Sequence, residues 1–236
     1  MTPSTVPLVT ATLLASTPAA LPGDSVWLGV RYDVAPGWHI YWTNPGDSGM
    51  ATSLSLQADQ GETGPVAWPG PERIDVAGGL VNYGYTGSVT ALQPVRIAPD
   101  ASGRLHVEGH TRWLVCKDDI CQPGDAPLAL DLQLGRHAGG DRFSAERARL
   151  PGPLPKGAHS TRTDTGRTLL LPDPATLTLF PDPTLEDVLA GWTADSNAHG
   201  SVLELTLSAP LTAPAHAVVA QHSDQGTTWL DWVVEP

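Results

Sequence analysis

Charged side chains make up only 16% of the 236 residues, too few to coat the solvent faces of long helices, and disorder, coiled coil and collagen are excluded. Basic residues are the scarcer sign. Thirteen Lys and Arg against 25 Asp and Glu leave a formal charge of −12, which repels phosphate backbones and anionic lipid, so nucleic acid is not an expected partner. No apolar run reaches the roughly 18 residues of a membrane-spanning helix, so no direct membrane insertion is expected either. The chain has no G-x-S-x-G, H-E-x-x-H, P-loop or G-x-G-x-x-G, which removes the common hydrolase and nucleotide-binding chemistries. Its two cysteines do not form a Cys-x-x-Cys at a helix start, as a thioredoxin-like enzyme would have. The opening segment MTPSTVPLVTATLLASTPAAL has no basic n-region and is interrupted by Pro7 and Pro18, so it is not an intact secretory signal, and the expectation is either no export or a leader already removed.

What the chain does contain is 24 Gly, 23 Pro, 8 Trp and 41% apolar residues. The length suits two domains of ordinary size. Short segments with alternating apolar character recur at 26–34, 104–115, 126–134, 168–171, 176–180, 202–208, 216–221 and 227–235, and a period of two means strands. Gly, Pro, Asn and Asp clusters such as NPGDSG at 44–49 and WPGPE at 68–72 punctuate them as turns. One helix is expected, over 141–150, with Phe143, Arg147 and Leu150 on one stripe and Pro151 ending it. That segment lies in a basic window holding Arg136, Arg142, Arg147, Arg149, Lys156, Arg162 and Arg167, and reads as a solvated connector. The expected architecture is therefore all-β, with two β-sandwich domains joined by a short helical linker: 1–135, a linker over 136–160, and 161–236.

Cys116 and Cys121 lie in RWLVCKDDICQPGD, between a strand ending at Val115 and another starting near Pro127, which is a hairpin tip. Upstream, Thr111, Trp113 and Val115 share one face, and downstream Leu128, Leu130, Leu132 and Leu134 share one, so both arms are anchored and the thiols are expected to protrude. A disulfide closing six residues stabilises by only roughly 2 kcal/mol, because so short a loop removes little from the unfolded ensemble. This spacing favours reversible redox chemistry over a structural hairpin clip. A metal site is third, since two thiolates need two further ligands and the nearest candidates, His106 and His110, lie about 20–35 Å up an unbroken strand at about 3.3 Å per residue. Lys117 beside the pair would stabilise a thiolate, and Asp118 and Asp119 would oppose it or steer a basic partner surface. Trp38, His39, Tyr41 and Trp42, with Trp68, Tyr83 and Tyr85, read individually as core. The Gly-flanked run Asn82, Tyr83, Gly84 and Tyr85 is also a candidate loop shielding a reactive site.

Four blocks in order, GWHIYWTNPGDSG, WPGPERI, GLVNYGYTG and WLVCKDDICQP, resemble the N-terminal periplasmic domain of the DsbD and ScsB type of protein-disulfide reductase, especially the copper-sensitivity-suppressor branch. The resemblance is dense over about 20–135 and weaker over 141–236. It implies an immunoglobulin-like domain in which Cys116 and Cys121 are the redox pair and Asn82–Gly87 a shield beside them. It also implies partners: electrons arrive from a membrane-embedded domain by way of a thioredoxin-like domain and leave to oxidised thioredoxin-fold proteins of the periplasm, with no cofactor. The sequence leaves open which sulfur attacks; in the related domains the second cysteine contacts partners, which favours Cys121 as the attacking sulfur and Cys116 as the resolving one. A second immunoglobulin-like region follows in some relatives and suits 160–236. The four-residue spacer varies among relatives, and the membrane and thioredoxin-like domains of the relay are not in this chain. Two other classes stand beside this one: a copper-handling module in which the reduced pair holds Cu(I), and a non-catalytic interaction sandwich with an inert clip.

Overall fold

Alternation of apolar residues decides which face of each strand is buried, and it accounts for the two sheets of the first unit. The computed structural model describes residues 7–136 and 139–236, and the chain divides into two compact units between Ala148 and Arg149. In the first unit one sheet runs in the order β1 (Val9–Ala15), β3 (Ser25–Val34), β9 (Ser88–Ile97), β6 (Gly61–Thr63). The other runs β2 (Ala19–Ala20), β11 (Ile120–Leu134), β10 (Arg104–Lys117), β4 (His39–Gly46), β8 (Val81–Thr86), β7 (Glu72–Asp75), with β5 (Ser53–Ala58) also paired to β10. Of the opening segment, residues 1–6 lie outside the described residues, whereas β1 is paired along its length with β3.

The two sheets bury Leu28, Val30 and Tyr32 of β3 against Val107, Thr111, Trp113 and Val115 of β10. Tyr32 is the polar link between them. Thr111 Oγ1 donates to Ser53 O at 2.9 Å, so the Tyr32 hydroxyl donates to Thr111 Oγ1 at 2.6 Å. Burial pushes the Tyr32 phenol up to about 12, with the Thr111 hydrogen bond acting the other way. The ring edges onto Trp113 and stacks with Trp68, which stacks in turn on Tyr85, whose hydroxyl donates to Pro69 O. An amphipathic ring with its polar end satisfied is what such a core accommodates.

The β10–β11 hairpin carries fourteen directly opposed pairs, from Arg104↔Gln133 to Lys117↔Ile120. β11 starts at Ile120 rather than near Pro127, and β2 pairs with it only at Gln133 and Leu134. The missing N–H groups of Pro123 and Pro127 therefore interrupt no ladder on that edge. Asp118 and Asp119 are the two-residue turn, and Asp118 adopts φ 50°, a left-handed conformation that Asp tolerates better than most residues.

The helix expected over 141–150 is a single turn, α1 (Ser144–Arg147). The reason lies in packing: Phe143 is buried against β3, its ring occupying the space a Cβ on Gly29 would need. The Arg142 N–H donates to Ser16 O, Arg147 pairs with Asp141, and the Arg147 guanidinium lies 6.0 Å from the Trp27 ring centre. This stretch is fastened to the first unit rather than extended in solvent. Of the preceding GRHAGG, His137 and Ala138 lie outside the described residues.

The second unit has two four-stranded sheets, β12 (Gly152–Pro153), β19 (Gly226–Val234), β18 (Ala215–Ser223), β15 (Thr176–Pro181), and β13 (His159–Arg162), β14 (Gly166–Leu171), β17 (Gly200–Leu207), β16 (Leu189–Asn197). Leu169, Leu171, Leu179, Leu203, Val219, Leu230 and Trp232 fill its core. The indole N–H of Trp232 donates to Ser160 Oγ. A one-turn helix, α2 (Pro183–Glu186), is capped by Asp182, which accepts from Leu185 N at 2.7 Å. The fold is all-β and immunoglobulin-like.

Candidate functional site

Register decides what surrounds the cysteines. Cys116 on β10 faces Cys121 on β11 on one side and His39 on β4 on the other, and His39 faces Thr86 on β8. Directly opposed residues share a face, so Cys121, Cys116, His39 and Thr86 form one row across four strands. The row lies on the face opposite to Thr111, Trp113 and Val115. Cys116 and Cys121 are joined by a disulfide with Cα atoms 4.1 Å apart.

The two halves of that disulfide differ in access. Cys116 is 1% exposed, whereas Cys121 and its neighbours Ile120 and Gln122 are exposed. Only one sulfur of the expected protruding pair therefore stands at the surface. Cys116 is buried because β4 covers its other side, a non-local pairing. Ile120, at 61% exposure, puts a large apolar side chain beside the accessible cysteine.

His39 is 7% exposed, and its Nε2 has no hydrogen-bond partner. Burial holds its pKa below the ordinary imidazole value. Its ring meets the ring of Tyr41 edge-on at 5.1 Å, and burial raises the Tyr41 phenol. The expected turn over 44–49 is strand as far as Gly46; a Cβ on Gly49, at φ 99°, would clash with the Tyr41 ring, so only glycine lets the turn that follows β4 lie this close. The turn is held from β8: Asn82 Oδ1 accepts from the N–H and hydroxyl of Ser48, and the Val81 N–H donates to Asp47 Oδ2.

The run Asn82, Tyr83, Gly84, Tyr85 is thus a buried strand, paired to β4 and β7, and not a loop. Tyr85 lies on the core face in the Trp68 stack. Asn82 bears on the disulfide face only indirectly, by fixing the turn that covers Tyr41. Lys117 extends over the turn before β4, its Cε and Nζ 3.6 Å from where a Cβ of Gly37 would stand. Asp118 and Asp119 form the hairpin turn. His106 and His110 pair with Asp131 at 2.8 Å and Asp125 at 3.0 Å on the exposed face, away from the tip. The sequence places His39 in the core but not beside the cysteines, because its one signal, membership of an aromatic run, carries no register.

Among the described residues no helix is long and apolar enough to cross a membrane. The family model described as thiol:disulfide interchange protein DsbD, N-terminal, matches residues 10–133, which is the first unit from β1 to the end of the hairpin. The crystal structure of the N-terminal periplasmic domain of ScsB from Proteus mirabilis is similar over 96% of this chain and 92% of that one, at 19% identity and a TM-score of 0.62. The N-terminal domain of Neisseria meningitidis DsbD in the reduced form matches 56% of this chain and 91% of that one, at 14% identity and a TM-score of 0.31. No curated protein matches. With more than half of its residues under one family model, the chain belongs to the DsbD N-terminal family of thiol:disulfide interchange domains.

Proposed function

We propose that this chain is a periplasmic protein-disulfide reductase module that carries electrons through the Cys116–Cys121 pair, from a thioredoxin-like or membrane-embedded donor to oxidised thioredoxin-fold proteins. The observation that carries the reading is the unequal burial of the pair: one sulfur of the bond is open to a macromolecule and the other is not. A donor thiolate attacks Cys121 Sγ, the Cys116–Cys121 bond breaks, and Cys116 leaves with the electron pair and takes up a proton. The donor's second thiol then displaces Cys121, and the chain holds two electrons as a dithiol. In the forward transfer the Cys121 thiolate attacks the partner's disulfide and a mixed disulfide forms. Cys116 then attacks Cys121 Sγ and releases the partner as a dithiol. No cofactor takes part, and the exposed Ile120 supplies apolar contact next to the attacking sulfur.

The test is reduction of an oxidised thioredoxin-fold protein by the pre-reduced chain. Cys121→Ala abolishes transfer, and Cys116→Ala accumulates the mixed disulfide. Full activity of Cys121→Ala refutes the assignment. A reduction potential of the pair below about −300 mV would mark the bond as a structural clip instead.

A further inference from the structure

A buried thiol has its pKa raised by loss of solvent, so at neutral pH it stays protonated and attacks slowly. Cys116 is buried, yet the forward transfer requires it to resolve the mixed disulfide, so the proton of its thiol has to be taken by a group inside the fold. The side chain opposite it is an imidazole with an unsatisfied, buried nitrogen, and an unpaired polar atom in such a place is destabilising unless it has a use. We propose that His39 is the general base for Cys116, accepting the thiol proton on Nε2 as Cys116 closes on Cys121. The proposal deepens the exchange reading and rests on it.

The groups packed around His39 leave it that role. From β10 it faces Cys116. From its own strand it meets Tyr41, a phenol that burial keeps protonated. From β8 it faces Thr86, whose hydroxyl is donated to Glu72 of β7 at 2.8 Å. Lys117, next in sequence to Cys116, runs over Gly37 in the turn before β4. None of these partners Nε2. With its pKa held below the ordinary value, the imidazole is neutral at pH 7 and has a lone pair to offer.

The Cys116 proton passes to His39 Nε2, and the Cys116 electron pair forms the bond to Cys121 Sγ. The Cys121–partner bond breaks, and its electron pair leaves on the partner's sulfur, which takes a proton from solvent. The imidazolium returns its proton to solvent. The partner gains two electrons and the Cys116–Cys121 pair loses two.

The experiment mixes the reduced full chain with a chromogenic aromatic disulfide, 5,5′-dithiobis(2-nitrobenzoate). The first thionitrobenzoate released reports attack by Cys121 and the second reports resolution by Cys116. His39→Gln is expected to slow the second release about 100-fold at pH 7, to leave the first unchanged, and to recover as pH rises and Cys116 ionises unaided. His39→Phe, which keeps an apolar ring against Tyr41, should behave likewise. In the unmutated chain the pH profile of the second release should follow the His39 ionisation read by imidazole NMR on the same reduced protein, a readout that needs no folded variant. Unchanged second release in both variants, or a wild-type profile that ignores the imidazole, overturns the proposal. If the wild-type chain shows no second release at all, it is the exchange reading that fails.

Discussion

Opening the disulfide tests the functional reading most directly, because a transfer bond must break without unfolding the protein that carries it. Cys116 and Cys121 close a loop of only six residues, and the chain-entropy relation gives about 2 kcal/mol for that length. Nothing larger is added on reduction. The fourteen opposed pairs of the β10–β11 hairpin remain, Thr111, Trp113 and Val115 stay in the core, and a buried thiol behaves as a small apolar group. With a urea dependence of about 2 kcal/mol per molar, the first unit should lose about 1 M in its unfolding midpoint when the pair is reduced. The assay is urea unfolding followed by tryptophan fluorescence, with and without reductant, and with Cys116→Ala/Cys121→Ala under both conditions. The double variant should show no effect of reductant. A loss above about 4 kcal/mol, or unfolding of the first unit in reductant alone, refutes the argument and leaves the bond a structural clip.

Ile120→Asp should slow reduction of a protein disulfide about tenfold while leaving reduction of a small aromatic disulfide unchanged, because it removes apolar contact area and not the thiol; equal effects on both substrates would contradict this. Phe143→Ala should destabilise the first unit by about 3 kcal/mol in urea unfolding, whereas a residue in a solvated connector would change stability by less than about 0.5 kcal/mol. His39 is held neutral by burial, so its folded pKa lies below its unfolded value of about 6.5 and the unfolded chain binds the extra proton. Its contribution is full above that unfolded value and is lost as pH falls toward the folded one, so stability measured by urea unfolding should decline below pH 6.5 and decline less in His39→Phe. His106 works in the opposite sense. Its pKa is raised, chiefly by the hydrogen bond to Asp131, so its contribution is present at low pH and fades as pH rises, and its exposure keeps it small.

Much of the site is legible in the sequence. Cys116 and Cys121 five positions apart, with Thr111, Trp113 and Val115 alternating before them, describe a hairpin tip because strand period and turn length are local properties. β11 runs further than its alternation shows: the period-two pattern is clear only from Ala126, and Pro123 and Pro127 fit the longer strand because β2 leaves that stretch of its outer edge unpaired. The segment 141–150 showed helical spacing, but burial of Phe143 on Gly29 claims it for the first unit. Asn82–Tyr85 looked like a loop because its glycines suggest flexibility. In the structure Gly84 lies close against the backbone of Ile40, which is why the strand needs a glycine there.

The sequence by itself determined that the chain is built of strands, that it holds one cysteine pair at a turn, and that a six-residue loop contributes little stability; periodicity and chain length suffice for each. Only tertiary structure decided that β4 lies beside the end of β10. That one pairing, between segments more than seventy residues apart, buries Cys116 while leaving Cys121 open and sets His39 opposite the hidden sulfur. Which distant strands come together depends on the packing of whole faces, and no local pattern carries that information.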